Sequence, residues 1–240
     1  IFQAKQIKIT YDKNLKLNFN NLYKSINKKI SLIIVANPNS PTGTILEKNL
    51  IEKILIKANK FNIKVLIDEA YFEFSKYNCL NLIKKYKNLI IIRTFSKMFG
   101  IAGLRCGYVV SNKEIIKEYF AIKPMYEINS IAVKAIELLL EKNKIIKEYL
   151  NEMREGESYA KMFCKKNNYK FIKCNANFFH ISFNFDPKKI QNYLLKNKIL
   201  VKGGPGVINY ENYLRISFAN KSTIVKILNK IKKYLDKQIN

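Results

Sequence analysis

Apolar residues run along this chain in two rhythms. Short unbroken runs closed by turn residues, SLIIVA (31–36), KVLID (64–68) and NLIIIR (88–93), alternate with longer segments in which apolar positions recur every three or four residues. Unbroken runs of this length read as strands buried on both faces, and the 3.6-residue period reads as an amphipathic helix. Between the first two runs, Leu50, Ile51, Ile54, Leu55 and Ala58 keep helical spacing over 46–61, which predicts a crossover helix. CGYVVS (106–111) predicts a fourth strand, with helices near 112–122 and 125–141 after it. This order is that of an α/β fold with a mainly parallel sheet and flanking helices.

The rhythm then changes. A lysine- and glutamate-rich helix is expected over 144–167, interrupted only by Gly156, followed by KFIKC, NFFHISF, ILVK and YLRISF with helices between them. The last helix, 222–237, places Ile224, Ile227, Leu228, Ile231 and Leu235 on one face. We expect a large domain over 1–148 and a smaller α+β C-terminal domain over 149–240. No internal repeat and no low-complexity linker separates them.

Composition changes the picture at a few positions only. Lys and Arg number 44 against 18 acids, a net charge of +26. Such an excess raises nucleic acid or an anionic surface as partner. Here lysine, isoleucine and asparagine dominate from end to end and the lysines form no tract, so biased codon usage accounts for the charge. No apolar run reaches the ~18 residues of a membrane span. Cys79, Cys106, Cys164 and Cys174 form no C-x-x-C pair and lack a His-rich neighbourhood, which argues against a zinc site or disulfide scaffold. Reduced thiols in the cytoplasm fit best. The chain begins with Ile1 rather than Met, so we expect its native start either to lie upstream or to have been removed.

The same bias makes exceptions informative. Only Arg93, Arg105, Arg154 and Arg215 are arginine, and arginine is required where a planar fork grips phosphate or carboxylate. Ligands of open α/β sheets sit beyond the carboxyl ends of the strands. There the first run delivers Asn37, Asn39 and Ser40, the second Asp68 and Tyr71, the third Ser96 and Lys97, with Arg105 in a glycine-rich turn after them. A carboxylate, a phenol, a lysine, a hydroxyl and an arginine converging on one crevice suit an aromatic, phosphorylated aldehyde cofactor.

These stretches, NPNSPTG (37–43), DEAYFEF (68–74), RTFSKMFGIAGLRCGY (93–108) and YLRISFAN (213–220), resemble in order and spacing the fold-type-I pyridoxal-phosphate aminotransferases, and within them the histidinol-phosphate aminotransferase group. The resemblance spans nearly the whole chain. It implies that Lys97 bonds covalently to the cofactor aldehyde and shuttles a proton at the substrate Cα. It implies that Asp68 pairs with the pyridinium nitrogen, that Tyr71 hydrogen-bonds the cofactor's phenolic oxygen, and that Ser96 and Arg105 bind the phosphate. It implies too that Arg215 takes a substrate carboxylate or phosphate. Two positions depart from the pattern. Ser40 stands where relatives have an asparagine, leaving Asn37, Asn39 and Ser40 open as donors, and Lys202 in ILVKGGPG stands where an arginine usually meets substrate phosphate. The family's upstream segment, with its glycine-rich phosphate loop, has no counterpart in these residues. His180 in NFFHISF reads as structural, and Arg93 and Arg154 receive no role.

The resemblance further implies amino transfer from a donor such as glutamate to a small phosphorylated keto or aldehyde acceptor, by a homodimer with a shared active site. A neighbouring alternative is decarboxylation of a phosphorylated amino acid on the same lysine. An alternative of another class is a non-catalytic basic binding protein on a decayed enzyme fold.

Overall fold

The computed structural model describes residues 4–12 and 16–239; Ile1 lies outside them. After a short helix α1 (Phe19–Ser25), the chain forms β1 (Leu32–Ala36), helix α2 (Lys48–Asn59), β2 (Lys64–Asp68), β3 (Leu89–Thr94) and β4 (Gly107–Ser111). These strands make one sheet in the order β1-β2-β3-β4. The first three are parallel and β4 returns antiparallel, pairing Thr94 with Gly107. The crossover helix forms as its spacing dictates, burying Ile51, Ile54, Leu55 and Ala58 against Val65, Ile67, Leu89 and Ile91 of the sheet. Register places Ala36, Asp68 and Ile92 level with one another. The segments that follow β1, β2 and β3 therefore leave the sheet side by side, which makes the crevice.

Helix α3 (Lys113–Ile122) starts at Asn112, whose side chain accepts from the Ile115 N–H, and α4 (Ser130–Glu141) starts at Asn129, whose side chain accepts from the Ala132 N–H. The helix expected from 125 thus begins five residues later. The Asn129 side-chain cap, which satisfies the Ala132 N–H, marks the start, while Pro124 disfavours helical backbone at Lys123 and so closes α3. Helix α5 (Asn143–Lys166) runs without a break through Gly156, correcting the expected interruption. Gly156 is there for packing, since a Cβ at that position would stand 2.1 Å from the Ala219 carbonyl oxygen.

The rest of the chain forms β5 (Lys170–Ile172), β6 (Phe178–Ser182), α6 (Pro187–Lys196), β7 (Lys202–Gly203), β8 (Leu214–Ser217) and α7 (Lys221–Ile239). The strands make a second, antiparallel sheet in the order β5-β6-β8-β7. Of ILVK only Lys202 is in a strand. Alternation sorts this sheet into two faces. Phe179, Ile181, Leu214 and Ile216 are at most 1% exposed and pack on Ala160, Phe163 and Cys164 of α5 and Ile224, Leu228 and Ile231 of α7. The opposite face carries Phe178, His180, Arg215 and Lys202, with Arg215 paired to His180 on one side and to Lys202 on the other. Directly paired residues present side chains on one face, so these three form a row. No described helix is long and apolar enough to cross a membrane.

Candidate active site

Asp68 ends β2, half-buried, with one carboxylate oxygen accepting the Ala70 N–H at 3.0 Å. That bond turns the chain sharply so that Tyr71, 9% exposed, faces inward. The Lys97 ammonium lies 5.2 Å from the centre of the Tyr71 ring. Tyr71 meets Phe178 edge-to-face at 5.9 Å, and the Arg215 guanidinium stands over the other ring of that pair, 5.1 Å from the Phe178 centre. Lysine, phenol and arginine from three distant segments are thus joined through Phe178, a platform that sequence reasoning passed over. Its signal was the period of two in FFHIS, which puts Phe178 and His180 on one face.

The phosphate-assigned residues leave the end of the β3–β4 ladder together. The Phe95 N–H donates to the Cys106 carbonyl at 3.2 Å, and the Ser96 N–H donates to Thr94 Oγ1 at 3.1 Å. Arg105 closes a 3-10 turn over Ala102–Leu104 with φ at 55°, a left-handed conformation uncommon outside glycine, and its exposed guanidinium donates to the Ala102 carbonyl at 3.1 Å. Strained backbone of this kind is concentrated at binding sites.

In the NPNSPTG turn the structure separates the three candidates. Asn37 is 3% exposed and both ends of its amide are committed to Leu46, Nδ2 donating to the carbonyl at 3.0 Å and Oδ1 accepting the N–H at 2.8 Å. Asn39 accepts from the Thr42 hydroxyl at 3.0 Å, and Ser40 is exposed. These last two are the members of the turn that can face a ligand. Gly43, at φ 71°, has no room for a side chain, because its Cβ would fall 2.2 Å from that of Cys174. Lys202 is exposed beside Arg215.

Arg93 now has a role. Its Nε and Nη2 donate to one oxygen of Glu69 at 2.9 and 2.7 Å, the other oxygen accepts the Cys79 N–H, and the guanidinium stacks 3.6 Å from the Phe72 ring centre. Glu69 is fully buried beside Asp68. The pair ties the Tyr71 loop to β3. Arg154 lies on α5, away from these contacts.

Burial sets the local ionisation. It pushes the Glu73 carboxyl up to about 7, against a backbone hydrogen bond and the nearby Arg93. It lowers His180 to about 4, against the hydrogen bond to Pro41 and together with the Arg215 charge. It raises the Cys174 thiol to about 12. Asp68, Lys97 and Arg215 are each half-buried, yet among the described residues none forms an ion pair. Partly desolvated charges without counter-charges are costly unless a ligand meets them. A carboxylate, an amine and a guanidinium left so fit a cofactor with a ring nitrogen, an aldehyde and an anionic substrate beside it. No described cluster of His, Cys, Asp and Glu could hold a metal ion.

The family model "Aminotransferase class I and II" matches residues 1–231. The chain is 32% identical over 232 residues to histidinol-phosphate aminotransferase 1 of Carboxydothermus hydrogenoformans, covering 96% of this chain and 65% of that protein. It is 36% identical over 217 residues to histidinol-phosphate aminotransferase 1 of Mannheimia succiniciproducens, covering 85% and 58%. It therefore spans less than two thirds of these relatives' lengths. The crystal structure of the histidinol-phosphate aminotransferase from Clostridium acetobutylicum superposes with a TM-score of 0.87 at 25% identity, over 96% of this chain and 71% of that one. The Sinorhizobium meliloti enzyme, solved in complex with pyridoxal-5'-phosphate, superposes at 0.83 and 20% identity, over 96% and 65%. On the extent of the family match and the order of its motifs, the chain belongs to the class I and II aminotransferases.

Proposed function

We propose that this chain carries out pyridoxal-phosphate-dependent amino transfer, between an amino-acid donor such as glutamate and a small phosphorylated keto or aldehyde acceptor of the histidinol-phosphate type. The observation that carries the reading is the contact line Lys97–Tyr71–Phe178–Arg215 with Asp68 at the strand end beside it. When bound, the cofactor supplies an electron sink for charge developing at the substrate Cα. The protein does the rest. The Asp68 carboxylate holds a proton on the ring nitrogen, and Tyr71 hydrogen-bonds the phenolic oxygen. The Lys97 amine would bond to the aldehyde carbon with loss of water and, once displaced by the donor's amine, would carry the proton to and from Cα. Ser96 and Arg105 would grip the phosphate, and Asn39 or Ser40 would donate to the phenolic oxygen. Arg215 and Lys202, side by side on β8 and β7, fit a substrate with two anionic groups.

The division at residue 149 into a cofactor domain and a smaller domain fits the two separate sheets. Exposed apolar side chains along α4, among them Ile131 at 75% and Leu140 at 49%, favour a homodimer. Four buried free thiols suit the reducing cytoplasm.

The test is direct. Pyridoxal phosphate added to the purified chain gives a visible absorbance band, borohydride fixes the bond, and mass spectrometry finds the mass increase on the Lys97 peptide; Lys97→Ala loses all three. Labelling spread over many lysines sinks the proposal. Product analysis then separates a keto acid, the mark of transfer, from carbon dioxide, the mark of decarboxylation.

A further inference from the structure

His180 is fully buried on β6, and its Nε2 lies 2.8 Å from the carbonyl oxygen of Pro41, 139 residues away. A carbonyl only accepts, so Nε2 carries the proton and donates. That leaves Nδ1 as the acceptor, and it is buried without a partner. The ring is caged by Phe178, Tyr210 and Tyr213, with centroids at 5.6, 5.0 and 6.4 Å. A cage this apolar suits phenylalanine better than histidine, because an orphaned buried acceptor costs at least what one hydrogen bond returns. Packing therefore does not account for the imidazole.

The Nε2–H bond reaches the turn at the residue after Ser40. The next two carbonyls are also held from the second sheet's side: Thr42 accepts from the Tyr210 hydroxyl and the Cys174 thiol, each at 3.5 Å, and Gly43 accepts from the Asn175 N–H at 2.9 Å and its side-chain amide at 3.3 Å. His180 alone of these donors is paired across the sheet with Arg215. We propose that His180 is a positioning residue, holding Asn39 and Ser40 at a fixed distance from Arg215 so that the turn after β1 and the arginine on β8 stay in register. The consequence for the cofactor rests on the amino-transfer reading; the hold on the turn does not.

The test uses the full chain with His180→Phe, which fills the cage without the N–H, and His180→Gln, whose amide N–H can reach the same carbonyl. Without cofactor, hydrogen exchange is followed at the Asn39 and Gly43 amides, which bond within the turn to Thr44 and Asn39. In His180→Phe these two amides exchange about 5- to 10-fold faster, the loss of one hydrogen bond, while the amides of β2 and β3 and the urea midpoint are unchanged or improved. Pyridoxal phosphate, titrated by absorbance, binds about 5- to 10-fold more weakly, and His180→Gln restores most of both effects. Unchanged turn exchange in His180→Phe overturns the proposal, as does faster exchange with unaltered cofactor affinity. A fall in the urea midpoint alongside both losses assigns the ring to packing and overturns it too. If the unsubstituted chain fails to bind pyridoxal phosphate, the amino-transfer reading falls, and the exchange and urea measurements still decide whether His180 holds the turn.

Discussion

Arg93 and Glu69 are 8% and 0% exposed and form the one buried ion pair among the described residues. Desolvating two charges offsets much of their attraction, so such a pair adds little over an apolar pair of similar volume. Breaking it is different. Arg93→Ala leaves the Glu69 carboxylate buried beside Asp68 with only the Cys79 N–H, which predicts a loss of about 3–5 kcal/mol in urea unfolding. The double change Arg93→Met with Glu69→Leu removes both charges and recovers most of it; a loss below about 1 kcal/mol in the single variant would mean that water reaches the site. Scarcity of arginine singled out Arg105 and Arg215 by sequence alone, because a planar fork is a recognisable requirement. It could not assign Arg93, whose need arises from a carboxylate 24 residues away that only strand pairing brings alongside.

At the scale of elements, a chain's apolar period records what each segment buries but not what it touches. Strands β1 to β3 and helix α2 lay where their runs put them, since each buries its residues against immediate neighbours in the fold. ILVK did not become a full strand. The N–H of Gly203, the residue after it, is taken by the Gln191 side chain at 2.6 Å, and a Cβ on Gly203 would lie 2.4 Å from the Pro187 carbonyl, so α6 crowds this edge. Gly156 makes the same point within a helix. Replacing an exposed helical glycine by alanine stabilises by about 1 kcal/mol through backbone entropy. Here the added methyl meets the Ala219 carbonyl at 2.1 Å and Ile224 at 3.1 Å, where α7 packs on α5. Overpacking of that kind costs about 1–3 kcal/mol, so Gly156→Ala is expected to lower the urea midpoint despite its better propensity. A higher midpoint would show that the two helices slide apart without cost.

For the molecule as a whole, strand and helix alternation made the parallel sheet legible, whereas the meeting of the two sheets was not. The row His180–Arg215–Lys202 depends on the register of strands separated by loops and a helix, and local sequence carries no mark of that register. Charge is the whole-molecule property that remains. With 44 basic residues against 18 acids, the folded chain confines a net +26, and self-repulsion of this size favours the expanded state. The exposed ion pairs, such as Lys134–Glu137 and Lys232–Asp236, contribute little in return. Added salt screens the repulsion among many charges and weakens only these few attractions. We therefore expect the melting temperature to rise by several degrees as sodium chloride goes from about 0.02 M to about 0.5 M, where a protein held by surface ion pairs would lose stability. Chloride is the appropriate anion, since sulfate strengthens apolar burial in any protein. A melting temperature that falls with salt would place the stability in ion-pair networks instead, contrary to the scattered distribution of lysines along this sequence.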